Sequence, residues 1–264
     1  MSQYQTSFDL LRRLAKDTFY RMQHGHELDC VQSEETLTDI NLLEIKRESL
    51  YFFRVDKPTK HEEREKGFDW EFWIGCNAKG WYRYAVQAKR MYLNSGKYDR
   101  LRHKHKGATK FQIEILEDFS KSTGAIPLYC FYNAIDQNQL NGRWHCTYNP
   151  ELEQMGCTIV PLRIVKEAHK RRQDKSFEAL HNDSSAKPWQ CLLCPGILDS
   201  RLAKYPNGFL PEDKGYKKFE SLPDHLAYFQ ETGNIANLPD DLYKSEFGGY
   251  PKRIMVIDTG GQEF

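Results

Sequence analysis

The chain has 264 residues, 39% hydrophobic and 28% charged, enough to bury a substantial core as one large domain or a domain with a lobe. A net charge of +1 excludes a uniformly basic surface, and no apolar run approaches the length of a membrane span. Behind the start MSQYQTSFDLLRRLAKD there is no uninterrupted apolar segment, so no secretory signal is expected. Seven cysteines at irregular spacing do not form a disulfide framework and point to a reducing cytoplasm.

Phe8, Leu11, Leu14, Ala15, Phe19 and Met22 recur at helical spacing and predict an amphipathic first helix over 7–22, followed by a break at His24–His26. Ser33 has the character of an N-cap, with Glu34 and Glu35 in the first turn of a second helix and Leu37, Ile40 and Leu43 on its apolar side. Both acids complement the helix dipole, and an acid on the flank shared by Glu35 and Asp39 can look onto a neighbouring sheet. Tyr51–Val55 reads as a strand, and KPTKHEEREKG as an exposed connection.

The stretch GFDWEFWIGCNAKGWYRYAVQAKR, residues 67–90, reads as an antiparallel hairpin of two aromatic-rich strands joined through Gly75, Asn77 and Gly80. Side chains alternate along a strand, so Asp69, Glu71 and Trp73 share one face, and Arg83, Gln87 and Lys89 share one face of the partner. Acids at the start of one strand thereby meet an amide and a lysine at the end of the next. Core packing has no use for that combination, whereas a metal site with a lysine does. The exposed-surface alternative is an ordinary ion pair. Trp70, Trp73, Trp81, Tyr82 and Tyr84 are packing residues first and base-stacking candidates second.

Between Trp81 and Lys110 the basic residues far outnumber the acids, with Asp99 as the lone carboxylate. Arg90, Arg100, Arg102, Lys104, Lys106 and Lys110 are the candidate contacts to a phosphate backbone, against the alternative of a solvated loop. His103 and His105 lie within this run. A helix over Thr109–Phe119, which carries Gln112 either to line the site or to cap surface, a nearly continuous apolar strand Ile126–Tyr132 and a charged helix Lys166–Leu180 follow. Beyond residue 180 the pattern weakens, apart from a short helix near 219–231 and a closing strand RIMVID. The expected division is an α/β domain over 1–180 and an irregular C-terminal lobe or lid, 181–264, packed on it. Cys191 and Cys194 have the spacing of a zinc half-site, with His169 and His181 upstream, but a single pair leaves two tetrahedral ligands unsupplied, and a buried turn is the better reading.

Helix, three strands, helix and strand in that order predict a mixed central sheet flanked by helices. With an acid in the early helix, GxD opening the second strand and VQAKR closing the third, the chain resembles the PD-(D/E)xK, or restriction-endonuclease-like, superfamily of nucleases. The Mrr-like branch is nearest, because there Gln stands where Glu usually precedes the lysine. The matching residues are Gly67, Asp69, Gln87, Lys89 and Glu35, and the resemblance covers roughly residues 30–135. The chain is also similar to an uncharacterised bacterial family with EETxTD, GxDWEW and QAKR blocks followed by PLYCFYN. Two departures stand out: no proline precedes Asp69, and the Gln lowers the negative charge of the site.

The resemblance implies an α-β-β-β-α-β restriction-endonuclease-like core and Mg²⁺- or Mn²⁺-dependent hydrolysis of phosphodiester bonds, with DNA the first expected substrate and RNA the alternative. Asp69, Gln87 and Glu35 would hold the metal, with Glu71 a further candidate, and Lys89 would act on the water or on the charge that develops. It also implies a role in antiviral defence alongside partner proteins, and two-strand cutting would suit a homodimer. The competing expectations are a nuclease-fold module that binds nucleic acid or a nucleotide without cutting, and a protein-interaction module.

Overall fold

The computed structural model describes residues 3–48, 53–57, 68–104, 109–146, 148–171, 174–193, 216–233 and 253–260. Among the described residues an eight-stranded mixed sheet forms the centre, ordered β1-β8-β2-β3-β4-β5-β6, with β7 pairing on β3. The strands are β1 (Phe53–Asp56), β2 (Trp70–Cys76), β3 (Gly80–Arg90), β4 (Ile126–Tyr132), β5 (Cys157–Pro161), β6 (Lys187–Pro188), β7 (Lys218–Phe219) and β8 (Ile254–Asp258). β2 and β3 form the expected antiparallel hairpin, placing Trp73 opposite Arg83 and Trp70 opposite Val86. β4 lies parallel to β3, the arrangement that a helical crossover permits.

Helices cover both faces. α1 (Gln3–Glu27), α2 (Glu34–Arg47) and the 3₁₀ turn Trp189–Leu193 lie on one side. There Trp189 Nε1 donates to Leu11 O at 2.7 Å, and the hydroxyls of Thr38 and Tyr132 meet at 2.7 Å. On the other side lie α3 (Gln112–Thr123) and, after the short α4 (Gln137–Leu140), α5 (Leu162–Arg171), α6 (Phe177–His181) and α7 (Asp224–Thr232). Every residue of β2 and of β4 is buried, as strands covered on both faces require.

The closing strand does not cap an edge. β8 inserts between β1 and β2, antiparallel to the first and parallel to the second. Its alternation fits that place: Met255 and Ile257 join the main core, while Ile254 and Val256 join a smaller cluster with Trp73, Trp81, Leu226 and Phe229 beneath α7. β1 and β2 run in opposite directions but are not neighbours. The chain beyond residue 180 therefore supplies a central strand, and the sheet is not divided at that position.

Helix boundaries differ from the pattern in the sequence: α3 begins at Gln112, the helix expected from 219 begins at Asp224 with Phe219 in β7, and two further cases have a visible cause. α1 runs through His24–His26 to Glu27, and the chain turns instead at Asp29, in the left-handed region with φ 53°. Gly25 is needed for close approach: a Cβ there would lie 2.9 Å from Cys30 O and from Gln32 Oε1. The helix expected over 166–180 is two, because Ser176 caps α6 by accepting from Ala179 N at 3.2 Å. Among the described residues no helix is long and apolar enough to cross a membrane.

Candidate active site at the β2–β3 fork

Asp69 stands where β2 begins, its backbone N–H donating to Val86 O at 2.9 Å. Its Oδ2 accepts from the Ala88 backbone N–H at 2.9 Å and from Gln87 Nε2. Gln87 Nε2 is also 3.0 Å from Ala88 O, and Gln87 Oε1 is buried with no hydrogen-bond partner. An amide oxygen left this way inside a protein carries a desolvation cost that a ligand would relieve.

Lys89 follows on the same face of β3 and is only 6% exposed. Its Nζ donates to Gln112 Oε1, on the first turn of α3, at 2.9 Å. Burial pulls the ammonium pKa below its ordinary value; the charges of Asp69 and Glu34 oppose that, and Arg100 reinforces it. Those interactions place Lys89 among two carboxylates and one guanidinium. Sequence reading alone gave Gln112 no firm role.

Glu34, not Glu35, is the acid that α2 turns toward this group. Ser33 caps the helix by accepting from Thr36 N at 3.1 Å, which fixes Glu34 as the first helical residue. Glu34 Oε1 is buried without a hydrogen-bond partner, whereas Glu35 is exposed and its charge is felt by Arg253. Glu34 lies three and four residues before the buried Leu37 and Thr38, so the helical period already assigned it to the inward face.

Arg253, missed in the sequence reading, ties this corner together. Its Nε donates to Asp39 Oδ1 at 2.5 Å and its Nη1 to Asp69 O at 3.4 Å, linking the approach to β8 with α2 and the start of β2. Burial works against ionisation of Asp39, but the bonds from Arg253 and Lys57 prevail and hold its carboxyl below the usual range.

Glu71 is not available to a metal. Its Oε2 accepts from Arg83 Nη2 at 2.7 Å and its Oε1 from Trp73 Nε1 at 2.7 Å, in a pair whose side chains are 3% and 1% exposed. The expectation that Glu71 ligates is corrected on that ground: both oxygens serve a buried ion pair.

The basic segment is only partly open to solvent. Arg100 and Lys104 are exposed, Arg102 is half-buried over the Phe111 ring at 5.3 Å, and Arg90 lies over the Tyr92 ring at 4.2 Å. Lys110 is paired with Asp118 at 2.5 Å, and Lys106 and His105 lie outside the described residues, as does Gly67. Cys191 is buried in the core and Cys194 is outside the described residues. His181 is a core residue, its ring stacked on Phe177 with Nε2 2.8 Å from Thr158 Oγ1. Half-buried His169 packs edge-on against Phe111.

Among the described residues no group of three or more His, Cys, Asp or Glu side chains is placed to hold a metal. The donor set at the fork is of a different kind: Asp69 and Glu34 as carboxylates, the Gln87 amide oxygen, and the Ala88 carbonyl. All are hard oxygens, which suits Mg²⁺ or Mn²⁺ with water and substrate completing the shell. The buried acceptor oxygens of Gln87 and Glu34 fit such an ion better than they fit a dry core.

A family model described as a family of unknown function, DUF6615, matches residues 8–251. No curated protein and no solved structure matches the chain.

Proposed function

The chain belongs to the DUF6615 family, and we propose that it is a metal-dependent nuclease that hydrolyses phosphodiester bonds at the β2–β3 fork. One observation carries the reading: a buried lysine stands in the field of two carboxylates, Asp69 and Glu34, beside an amide oxygen that has no partner. Surface ion pairs do not bury a lysine, and stabilising a core does not call for an orphaned acceptor.

A divalent cation, when bound, lowers the pKa of the attacking water and offsets charge on the phosphoryl oxygens. Asp69 and Glu34 would supply the negative charge that holds it, and Gln87 and the Ala88 carbonyl would supply neutral oxygens. The Lys89 ammonium, fixed by Gln112, donates to the oxygen on which negative charge grows. Arg100 and Lys104 offer positive charge to the flanking backbone.

The test uses purified protein with labelled single- and double-stranded DNA and RNA, with Mg²⁺ or Mn²⁺ and with EDTA. Cleavage is expected with metal, and Asp69→Ala and Lys89→Ala are each expected to remove it while the protein stays folded. Wild-type-like cutting by both variants, or no cutting of any substrate by the wild type, would refute the reading.

A further inference from the structure

A pocket opens at the same end of the sheet, on the α1–α2 side, with about 520 Å³ of empty space counting its mouth. His26, Val31, Gln32, Arg90, Tyr92 and Asn94 line it. Its two walls continue the elements that carry the fork. Arg90 directly follows Lys89 and by strand alternation turns its side chain to the opposite face of β3, and Gln32 is two residues before Glu34.

Both walls are held. Tyr92 N donates to Lys97 O at 2.8 Å and Gly96 N to Tyr92 O at 2.8 Å, making a tight hairpin that fixes Tyr92. The Arg90 guanidinium lies over that ring at 4.2 Å, a flat cationic platform. Opposite, Cys30 N donates to Gly25 O at 2.7 Å, and the chain turns at Asp29 with φ 53°. Gln32 Nε2 donates to Cys30 O at 2.7 Å, which sets the orientation of that amide, and its Oε1 is buried with no hydrogen-bond partner. Val31 and Leu28 sit in the same turn, 49% and 77% exposed, an apolar rim that a core would have absorbed.

We infer that this pocket, across β3 from the fork that holds the scissile phosphate, seats an unpaired nucleobase of the same strand, so that the substrate is single-stranded, or locally unpaired, nucleic acid. The inference rests on the nuclease reading for the word scissile, and on the pocket alone for the base. A base is flat, apolar on its faces and polar on its edges. Arg90 and Tyr92 offer the stacking surface and Val31 the apolar rim, while Asn94 and His26 bring polar groups to the edge. A paired base inside a duplex cannot reach such a recess without being flipped out.

The experiment is a titration in EDTA, where no metal-dependent cutting occurs, of 2-aminopurine oligonucleotides as single-stranded DNA, single-stranded RNA and duplex DNA of one length. Single strands are expected to bind at least tenfold more tightly than the duplex and to change the 2-aminopurine fluorescence. Tyr92→Ala and the rim variant Val31→Asp are each expected to lower single-strand affinity by about tenfold and to abolish the fluorescence change. The ratio of the DNA and RNA arms tells which strand the pocket serves. Equal affinity for single strand and duplex, or unchanged single-strand affinity in both variants, overturns the inference. Because this readout contains no turnover, it stands or falls separately from the cleavage test on Asp69 and Lys89.

Discussion

Lys89 Nζ lies 2.9 Å from Gln112 Oε1, so β3 and α3 together fix an ammonium beside the carboxylate of Asp69. Nothing in that contact stabilises the fold enough to justify burying a charge, since burial pulls the lysine pKa down despite two nearby acids. Lys89→Met keeps the stem and removes the charge. It is expected to hold or raise the unfolding stability, by up to about 1 kcal/mol, while lowering cleavage by about a hundredfold or more. Parallel melting curves and single-turnover cleavage check both halves, and a variant that melts early but still cuts would contradict the assignment.

The two adjacent acids of α2 separate by role. Glu34 has a buried oxygen and acts on Lys89, while Glu35 is exposed. Glu34→Gln is expected to weaken Mn²⁺ binding and cleavage by ten- to a hundredfold, and Glu35→Gln to change either by less than about threefold. Isothermal titration with Mn²⁺ on the two variants decides it, and the reverse ranking would return the ligand to the position that family resemblance assigned.

That pair also shows what a sequence makes legible. The hairpin was readable because alternation over Trp70–Cys76 and Gly80–Arg90 sets Asp69 beside Gln87 with no help from the rest of the chain. Glu34 was readable in principle, since it shares the helical period of Leu37, Thr38 and Asn41, but a motif read by resemblance fell one residue away. Gln112 could be named but not separated from a surface role, and Arg253 was not readable. Each reaches the fork through a tertiary contact, Gln112 from 23 residues along the chain and Arg253 from 184. The insertion of β8 between β1 and β2 was hidden for the same reason: IMVI announces a strand buried on both faces, and nothing local says which strands flank it.

Glu71 and Arg83 form a buried ion pair at 2.7 Å with both side chains almost fully covered. Removing one partner strands a charge, so Glu71→Gln or Arg83→Met is expected to cost about 3–5 kcal/mol in urea unfolding. Replacing both with apolar residues of similar size, Glu71→Leu with Arg83→Met, is expected to recover most of that loss. The double variant should bind Mn²⁺ as the wild type does. A folded double variant with lost metal affinity would restore Glu71 as a ligand.

Acid sensitivity has an identifiable origin in buried imidazoles. Burial pushes the His181 pKa from its ordinary 6.5 down to about 3, and that of His225 to about 4. Around His181, the Phe177 carbonyl favours the charged form, while His145 and Arg143 disfavour it; around His225, Glu71 and Asp224 favour it and Arg83 disfavours it. Both stay neutral in the folded chain at pH values where the unfolded chain is protonated. The unfolded state then binds more protons, so stability is fully present above pH 6.5 and falls as pH drops toward 4 and 3. Asp183, held near 2 first by its bonds from Arg163, loses its contribution only below about its ordinary 3.8, so above pH 4 the histidine effect is read without it. Melting curves from pH 8 to pH 4 are expected to be level above about 7 and to slope downward below 6.5, and His181→Asn should flatten that slope whatever it does to the plateau. An unchanged slope in that variant would place the acid-sensitive group elsewhere.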